Sequence, residues 1–293
     1  MNILQLLADL DAVDPEAYQR LSGRRGALTG LGQAGRRAVA AAVPLAFGTM
    51  LTKAYGRRPN TVLDVFTLAL TLEYLESEFY KQALASTLAF PGNSKAVFQQ
   101  IYKHEQDHVA FLEQTLRLSG AVLPDKPRFD FTGSKNGTQA ALFPTVFQDF
   151  GTFLKVAQLL EDTGVRAYKG QVGTLITDND LLEAAVRIHA VEARHAAHIR
   201  GLRRALGANV RDWVSPADEV ITTKGVTDAV YAGEELTRQQ LPVVDQKIPF
   251  FPTETTQIVT STPAKAQISL GEAFDEPMSD VTASAIAALF IYG

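Results

Sequence analysis

The chain has no cysteine, one tryptophan, three methionines and five histidines in 293 residues. Without Cys it is not a disulfide-stapled scaffold, a zinc ribbon, an iron–sulfur protein or an enzyme with a cysteine nucleophile. No apolar run is long enough to span a bilayer. No charge sign is in large excess: 28 Lys and Arg against 32 Asp and Glu leave a formal net charge of −4. That balance supplies no electrostatic footprint for nucleic acid. A hydrophobic share of 46% also excludes a disordered chain, which cannot bury enough apolar surface to fold.

The longest apolar run, AVAAAVPLAFGTML at 38–51, is interrupted by Pro44 and follows Arg24-Arg25 and Arg36-Arg37. Two readings fit. A basic stretch before a short apolar run resembles an export signal of twin-arginine type at 24–51. The alternative is an N-terminal helical arm over 1–58, with the protein retained in the cytoplasm. Asp9, Asp11, Asp14 and Glu16 favour the arm, since an export signal's leading segment is rarely acidic. So do the missing Phe-Leu-Lys after the arginine pairs and the missing small-x-small cleavage site after Met50.

After the breaker GRRPN, four helical stretches are expected within 59–206. The first starts at Thr61 and runs free of Gly and Pro to Pro91-Gly92-Asn93. The second starts at Ser94, read as its N-cap, and stops at Gly120. Residues 121–137 hold two Pro and two Gly and read as a long crossover. A third helix is expected from about Thr138 or Pro144 to Tyr168 and a fourth over 178–206, with Gly170 and Gly173 in the turn between them. Two helical hairpins joined by one long crossover make an all-α four-helix bundle. Residues 207–293 are spaced out by prolines and are expected to wrap the bundle as an irregular extension. Within it, 226–235 reads as a short helix, 257–270 as partly strand-like, and 279–290 as an amphipathic helix with Ala283, Ile286, Ala287 and Phe290 on one face.

All five histidines fall on the second and fourth helices. Each helix carries a Glu-x-x-His, Glu105 with His108 and Glu192 with His195. Positions i and i+3 share a helix face, so each motif aims a carboxylate and an imidazole at one point. With 15 Glu and 5 His, chance gives about 0.3 such pairs, so two at matching places are a signal. The first and third helices complete a degenerate repeat. Glu73 is followed seven and eight residues later by Tyr80-Lys81, and Glu161 by Tyr168-Lys169 at the same offsets.

These residues resemble the ferritin-like di-metal carboxylate superfamily, in which two helices each give one Glu and the other two each give a Glu-x-x-His. The resemblance covers about 60–206. More narrowly, LTLEYLESEFYKQAL and Ala273-Phe274-Asp275-Glu276-Pro277 resemble bacterial ferritin-like proteins related to desiccation-related proteins. The resemblance implies a metal-ligand set of Glu73, Glu105, His108, Glu161, Glu192 and His195. Glu105 and Glu192 would bridge, Glu73 and Glu161 would be terminal, and each His would cap one ion. It implies two iron ions, with manganese also suited to carboxylate and imidazole ligands. Four carboxylates and two neutral imidazoles balance two divalent ions.

The partners expected are metal ions with O2 or peroxide. An oligomer is compatible with the sequence. A ferritin cage is not expected, because long segments flank the bundle on both sides. Three functions are weighed: oxidation of Fe(II) or a small reductant, metal binding without catalysis in a stress or desiccation-related protein, and a metal-free structural bundle. Candidate catalytic residues are Glu76, Tyr80 and Tyr168. Glu76 lies one turn from Glu73, while the matching position after Glu161 is Gly164, which leaves room for the Glu76 side chain. The plainer alternative is a solvated Glu76, a glycine that merely eases helix packing, and two core tyrosines. His104, His189 and His198 read as surface or supporting residues. Arg200, Arg203 and Arg204 suit the C-terminal end of a helix dipole.

Overall fold

The computed structural model describes residues 61–176, 178–234, 238–240, 247–249, 272–273 and 275–292. The expected arm and export signal, and the strand-like piece at 257–270, lie outside them. Four long helices dominate: α1 (Thr61–Ala85), α2 (Ser94–Leu118), α3 (Phe150–Leu175) and α4 (Asn179–Ala205). At 25 to 27 residues each is about 37 to 40 Å long. The hairpins α1–α2 and α3–α4 pack most intimately, and α1 and α3 join them across the bundle.

Local chemistry explains the helix limits. Asp149 and Asp178 have extended backbones, and each side chain accepts a hydrogen bond from the first turn, of α3 and α4 respectively. Each such cap contributes about 1 kcal/mol. α2 lacks a side-chain cap at Asn93. The Ser94 hydroxyl turns back to the Pro91 carbonyl instead. Gly120 ends α2 in the left-handed region at φ +82, where the Ala121 N–H reaches back to the Leu116 carbonyl.

The third helix departs from expectation at both ends. It starts at Phe150, because Asp149 caps there, and residues 119–149 form the crossover. It also continues past Tyr168, so Gly170 and Gly173 are helical and not in the turn. Gly170 sits inside α3 for a tertiary reason. A Cβ there would stand 1.9 Å from the Met278 carbonyl oxygen. Only glycine allows the C-terminal segment to lie directly on the α3 backbone, where the Met278 N–H donates to the Arg166 carbonyl at 2.9 Å.

Within the C-terminal segment, the described part of the helix expected over 226–235, residues 226–234, is not α-helical. Only a 3₁₀ turn, Asp228–Val230, forms. Arg238–Gln240 (β2) pairs antiparallel with Lys247–Pro249 (β3). α5 (Asp280–Ala288) is capped by Ser279 and packs on α3 and α1, burying Ala283, Ile286 and Ala287. Beyond it, Ile291–Tyr292 (β4) pairs with Arg128–Phe129 (β1) of the crossover. One end of the core is aromatic. Phe79, Tyr80, Phe98 and Phe153 meet mainly edge to face, and Phe131 and Phe290 tie the crossover and C-terminus into the same cluster. None of the described helices is long and apolar enough to cross a membrane.

Candidate metal centre

The middle of the bundle is polar. Glu73 from α1, Glu105 from α2, Glu161 from α3 and Glu192 from α4 are each 0% exposed, and His108 and His195 are buried with them. Glu and His three residues apart on α2 and on α4 share a face, so each helix delivers its pair locally. Only the packing of four helices brings the pairs together.

Two clusters result. His108 Nδ1 lies 3.1 Å from Glu73 Oε2, 3.2 Å from Glu105 Oε2 and 3.1 Å from Glu192 Oε1. His195 Nδ1 lies 2.9 Å from Glu105 Oε1, 3.3 Å from Glu161 Oε2 and 3.6 Å from Glu192 Oε2. Glu105 and Glu192 therefore each direct one oxygen to each cluster. Glu73 serves only the first and Glu161 only the second. In each cluster the potential ligand atoms lie within 4.8 Å of one another.

Hydrogen bonding accounts for only part of this proximity: His108 Nδ1 bonds Glu73 Oε2 and Glu105 Oε2. His195 Nδ1, Glu105 Oε1, Glu161 Oε2 and both oxygens of Glu192 are buried with no hydrogen-bond partner. Buried polar atoms are nearly always paired, because an unpaired one costs about 1–3 kcal/mol. Buried oxygens left unpaired beside imidazole nitrogens suit a cation, and carboxylate with imidazole suits iron or manganese. The residues present thus fit a metal centre.

The outer oxygen of each terminal carboxylate is held across the bundle. Tyr168 Oη of the second hairpin donates to Glu73 Oε1 at 2.6 Å, and Tyr80 Oη of the first donates to Glu161 Oε1. Burial, reinforced by the adjacent carboxylates, pushes both hydroxyls well above the usual tyrosine range, so both remain donors at neutral pH. Glu76 is also inside, 2% exposed, and its Oε2 has no hydrogen-bond partner. A Cβ on Gly164 would meet Glu76 Oε1 at 3.1 Å and Glu192 Oε2 at 3.8 Å. The missing side chain at 164 therefore provides room beside the clusters, and Glu76 reaches into it.

Without an ion, protons balance the charge. Burial raises Glu73 to about 8 against the pull of His108. Burial likewise drives Glu161 and Glu76 well above the usual carboxylate range. Burial also acts on Glu105 and Glu192, but His108 and His195 outweigh it and hold both low. Burial disfavours imidazolium, yet the carboxylates around His108 and His195 outweigh that and raise both well above the usual histidine range. Protons on the raised carboxyls and imidazoles thus offset the charge of Glu105 and Glu192.

His189 Nδ1–H donates to the Val165 carbonyl at 2.9 Å, and His198 is exposed. Three buried features escaped the sequence reading. Arg200 and Arg203 do more than complement a helix dipole. Arg200 pairs with Asp162 at 2.5 Å and Asp218 at 2.7 Å, and Arg203 pairs with Glu219 and donates to Gln158 at 2.5 Å. Tyr231 Oη donates to the same Asp162 carboxylate at 2.6 Å, next to Glu161 in sequence. Arg166, 2% exposed, donates to the Glu276, Val230 and Ala232 carbonyls and pairs with Glu234 at 2.9 Å. The available signal was the stripe 192, 195, 196, 199, 200, 203 on α4, which keeps the buried face's spacing while its residues turn basic.

A bundle of two hairpins and one crossover, with a buried carboxylate–imidazole centre contributed by all four helices, defines the ferritin-like class of protein. Residues 61–205 match the family model described as a ferritin-like domain, and this bundle belongs to that family. No curated protein matches the chain.

Proposed function

We propose that the bundle holds two divalent ions, iron or manganese, and oxidises Fe(II) or another small reductant with O2 or peroxide. One observation carries the reading: Glu105 and Glu192 each divide their two oxygens between the two clusters, at 2.9–3.6 Å from the imidazole nitrogens. In this reading Glu105 and Glu192 are shared ligands, Glu73 with His108 completes one position, and Glu161 with His195 completes the other. An iron or manganese pair held by these residues would supply the electrons for reducing the oxidant.

The chain's own residues do the rest. Tyr80 and Tyr168 orient Glu161 and Glu73 by holding the outer oxygens, so the inner oxygens stay aimed at the centre. Glu76 holds a proton on a carboxyl that no protein group satisfies at Oε2. It can deliver that proton to reduced oxygen and recover it later. The phrases LTLEYLESEFYKQAL and Ala273–Pro277 support a narrower kinship with desiccation-related proteins.

The test is metal analysis of protein expressed in iron- or manganese-replete medium, followed by rapid mixing of the metal-free protein with Fe(II) and O2. Two ions per chain and catalysed Fe(II) loss are expected. Replacing Glu105 or Glu192 by Ala should remove the second ion, because each serves both positions. Two ions retained in both variants would overturn the ligand assignment. Two ions bound without accelerated oxidation would leave a metal-binding protein and not an oxidase.

A further inference from the structure

The two halves of the centre are not equivalent beyond their ligands. His195 presents Nδ1 to the carboxylates, and its other nitrogen, Nε2, lies 2.9 Å from Nδ1 of His104 on α2. The two rings are within 8° of parallel, with centroids 5.2 Å apart. So large a centroid separation for so short a nitrogen contact sets the rings edge to edge in nearly one plane. That is the in-line geometry of an N–H···N hydrogen bond. His104 is half-buried, and its own Nε2 lies 2.7 Å from the amide group of exposed Gln100, whose nitrogen and oxygen can exchange places by a turn of the side chain. A short polar chain thus runs from the surface to the back of His195.

His108 has no such support. It presents Nδ1 to Glu73, Glu105 and Glu192, while its Nε2 is buried with no hydrogen-bond partner. The internal repeat explains the difference. Glu105 and His108 correspond to Glu192 and His195, so the residue corresponding to His104 is Val191. Val191 is 1% exposed and has no polar side-chain atom. One half of the repeat places an imidazole before its Glu-x-x-His, and the other places an aliphatic side chain there.

A ligating imidazole whose second nitrogen donates a hydrogen bond is fixed in tautomer and orientation and is the more basic ligand. Losing such a partner typically costs 10–100-fold in metal affinity. We propose that His104 is a positioning residue for His195, and that the His195–Glu161 position therefore binds a divalent ion more tightly than the His108–Glu73 position. The proposal rests on the metal-binding reading above. With the Gln100 amide turned so that its oxygen takes the His104 Nε2–H, His104 accepts the Nε2 proton of His195 through Nδ1 and leaves His195 Nδ1 free to ligate. The unsupported His108 must bury an unsatisfied N–H whenever it ligates through Nδ1.

The test uses the full chain, stripped of metal and titrated with Co(II) under anaerobic conditions. Visible absorption and calorimetry follow the binding, and melting temperatures of the metal-free forms serve as folding controls. Wild type should bind two ions in resolved steps. His104→Val should weaken the tight step by 10–100-fold and leave the weak step in place. His104→Gln, whose amide oxygen can still accept from His195, should restore most of the loss, which a purely structural role would not. Val191→His should tighten the weak step. Two indistinguishable steps in wild type would overturn the proposal while leaving the metal-binding reading intact. So would a folded His104→Val with both steps unchanged. No Co(II) binding by wild type would sink the reading and the proposal together.

Discussion

Loading two divalent ions into the metal-free protein at pH 7 should release about four protons, because four of the six proposed ligands are held toward their protonated forms until an ion arrives. Glu73 keeps a proton because burial raises its carboxyl to about 8, and Glu161 because burial raises it well above the usual carboxylate range. His108 and His195 keep theirs because the surrounding carboxylates overcome the cost of burying imidazolium. Glu105 and Glu192 are already ionised, and Glu76, outside the ligand set, keeps its proton. Four positive charges enter as four leave, so the net charge of the buried site is unchanged. Each ion displaces two protons, so its apparent affinity should rise roughly 100-fold per pH unit below about pH 8. Calorimetry with Mn(II) in two buffers of different ionisation enthalpy counts the protons directly. Release of none, or an affinity flat between pH 6 and 8, would refute the charge balance described here.

The same shifts set the stability of the metal-free form. Glu73 has a folded value of about 8 against 4.5 for the free carboxyl, so the folded chain holds this proton more firmly. That contribution is complete below about pH 4.5 and is lost as pH rises through 8. The raised imidazoles act in the same direction from about pH 6.5 upward. Glu105 and Glu192 are depressed and act oppositely, losing their contribution as pH falls below 4.5. The melting-temperature gain on adding metal should therefore widen from pH 6 to pH 9.

Three further substitutions probe the surroundings of the centre. Gly170→Ala gains up to ~1 kcal/mol of helix propensity, yet its Cβ overlaps the Met278 carbonyl at 1.9 Å. A net loss of about 1–3 kcal/mol is expected in denaturant melts, and a stabilised variant would mean that the C-terminal segment does not lie on α3. Glu76→Gln should leave two ions bound but slow Fe(II) oxidation, and Gly164→Leu should fill the space beside Glu76 with the same kinetic result. Wild-type rates in both variants would remove Glu76 from the chemistry.

Sequence reading served best where the physics is local. α1 and α4 were legible because apolar spacing, Asp178 and the breakers on either side act within a few residues. It failed at α3, where Gly170 and Gly173 carry the usual signal of a turn. There the glycine is needed by a segment more than 100 residues away, and no local pattern records that contact. The arginines failed similarly. Arg200 and Arg203 obey the helix-end rule by position, but their partners Asp162, Asp218 and Glu219 lie on another helix and in the C-terminal segment.

By itself the sequence determined four helices, two hairpins and two Glu-x-x-His faces, because backbone propensity and the i, i+3 spacing are properties of the helix alone. It also carried the repeat that pairs Glu73 with Glu161 and Tyr80 with Tyr168. Tertiary structure alone decided how these parts meet. Packing crossed the tyrosines over, so that each holds the other hairpin's glutamate. It buried Glu76 beside Gly164 and placed His104 behind His195, but nothing polar from position 191 behind His108. Such contacts depend on helix rotation and on separations of a few ångströms between residues distant in the chain. No periodicity within a single helix encodes those quantities.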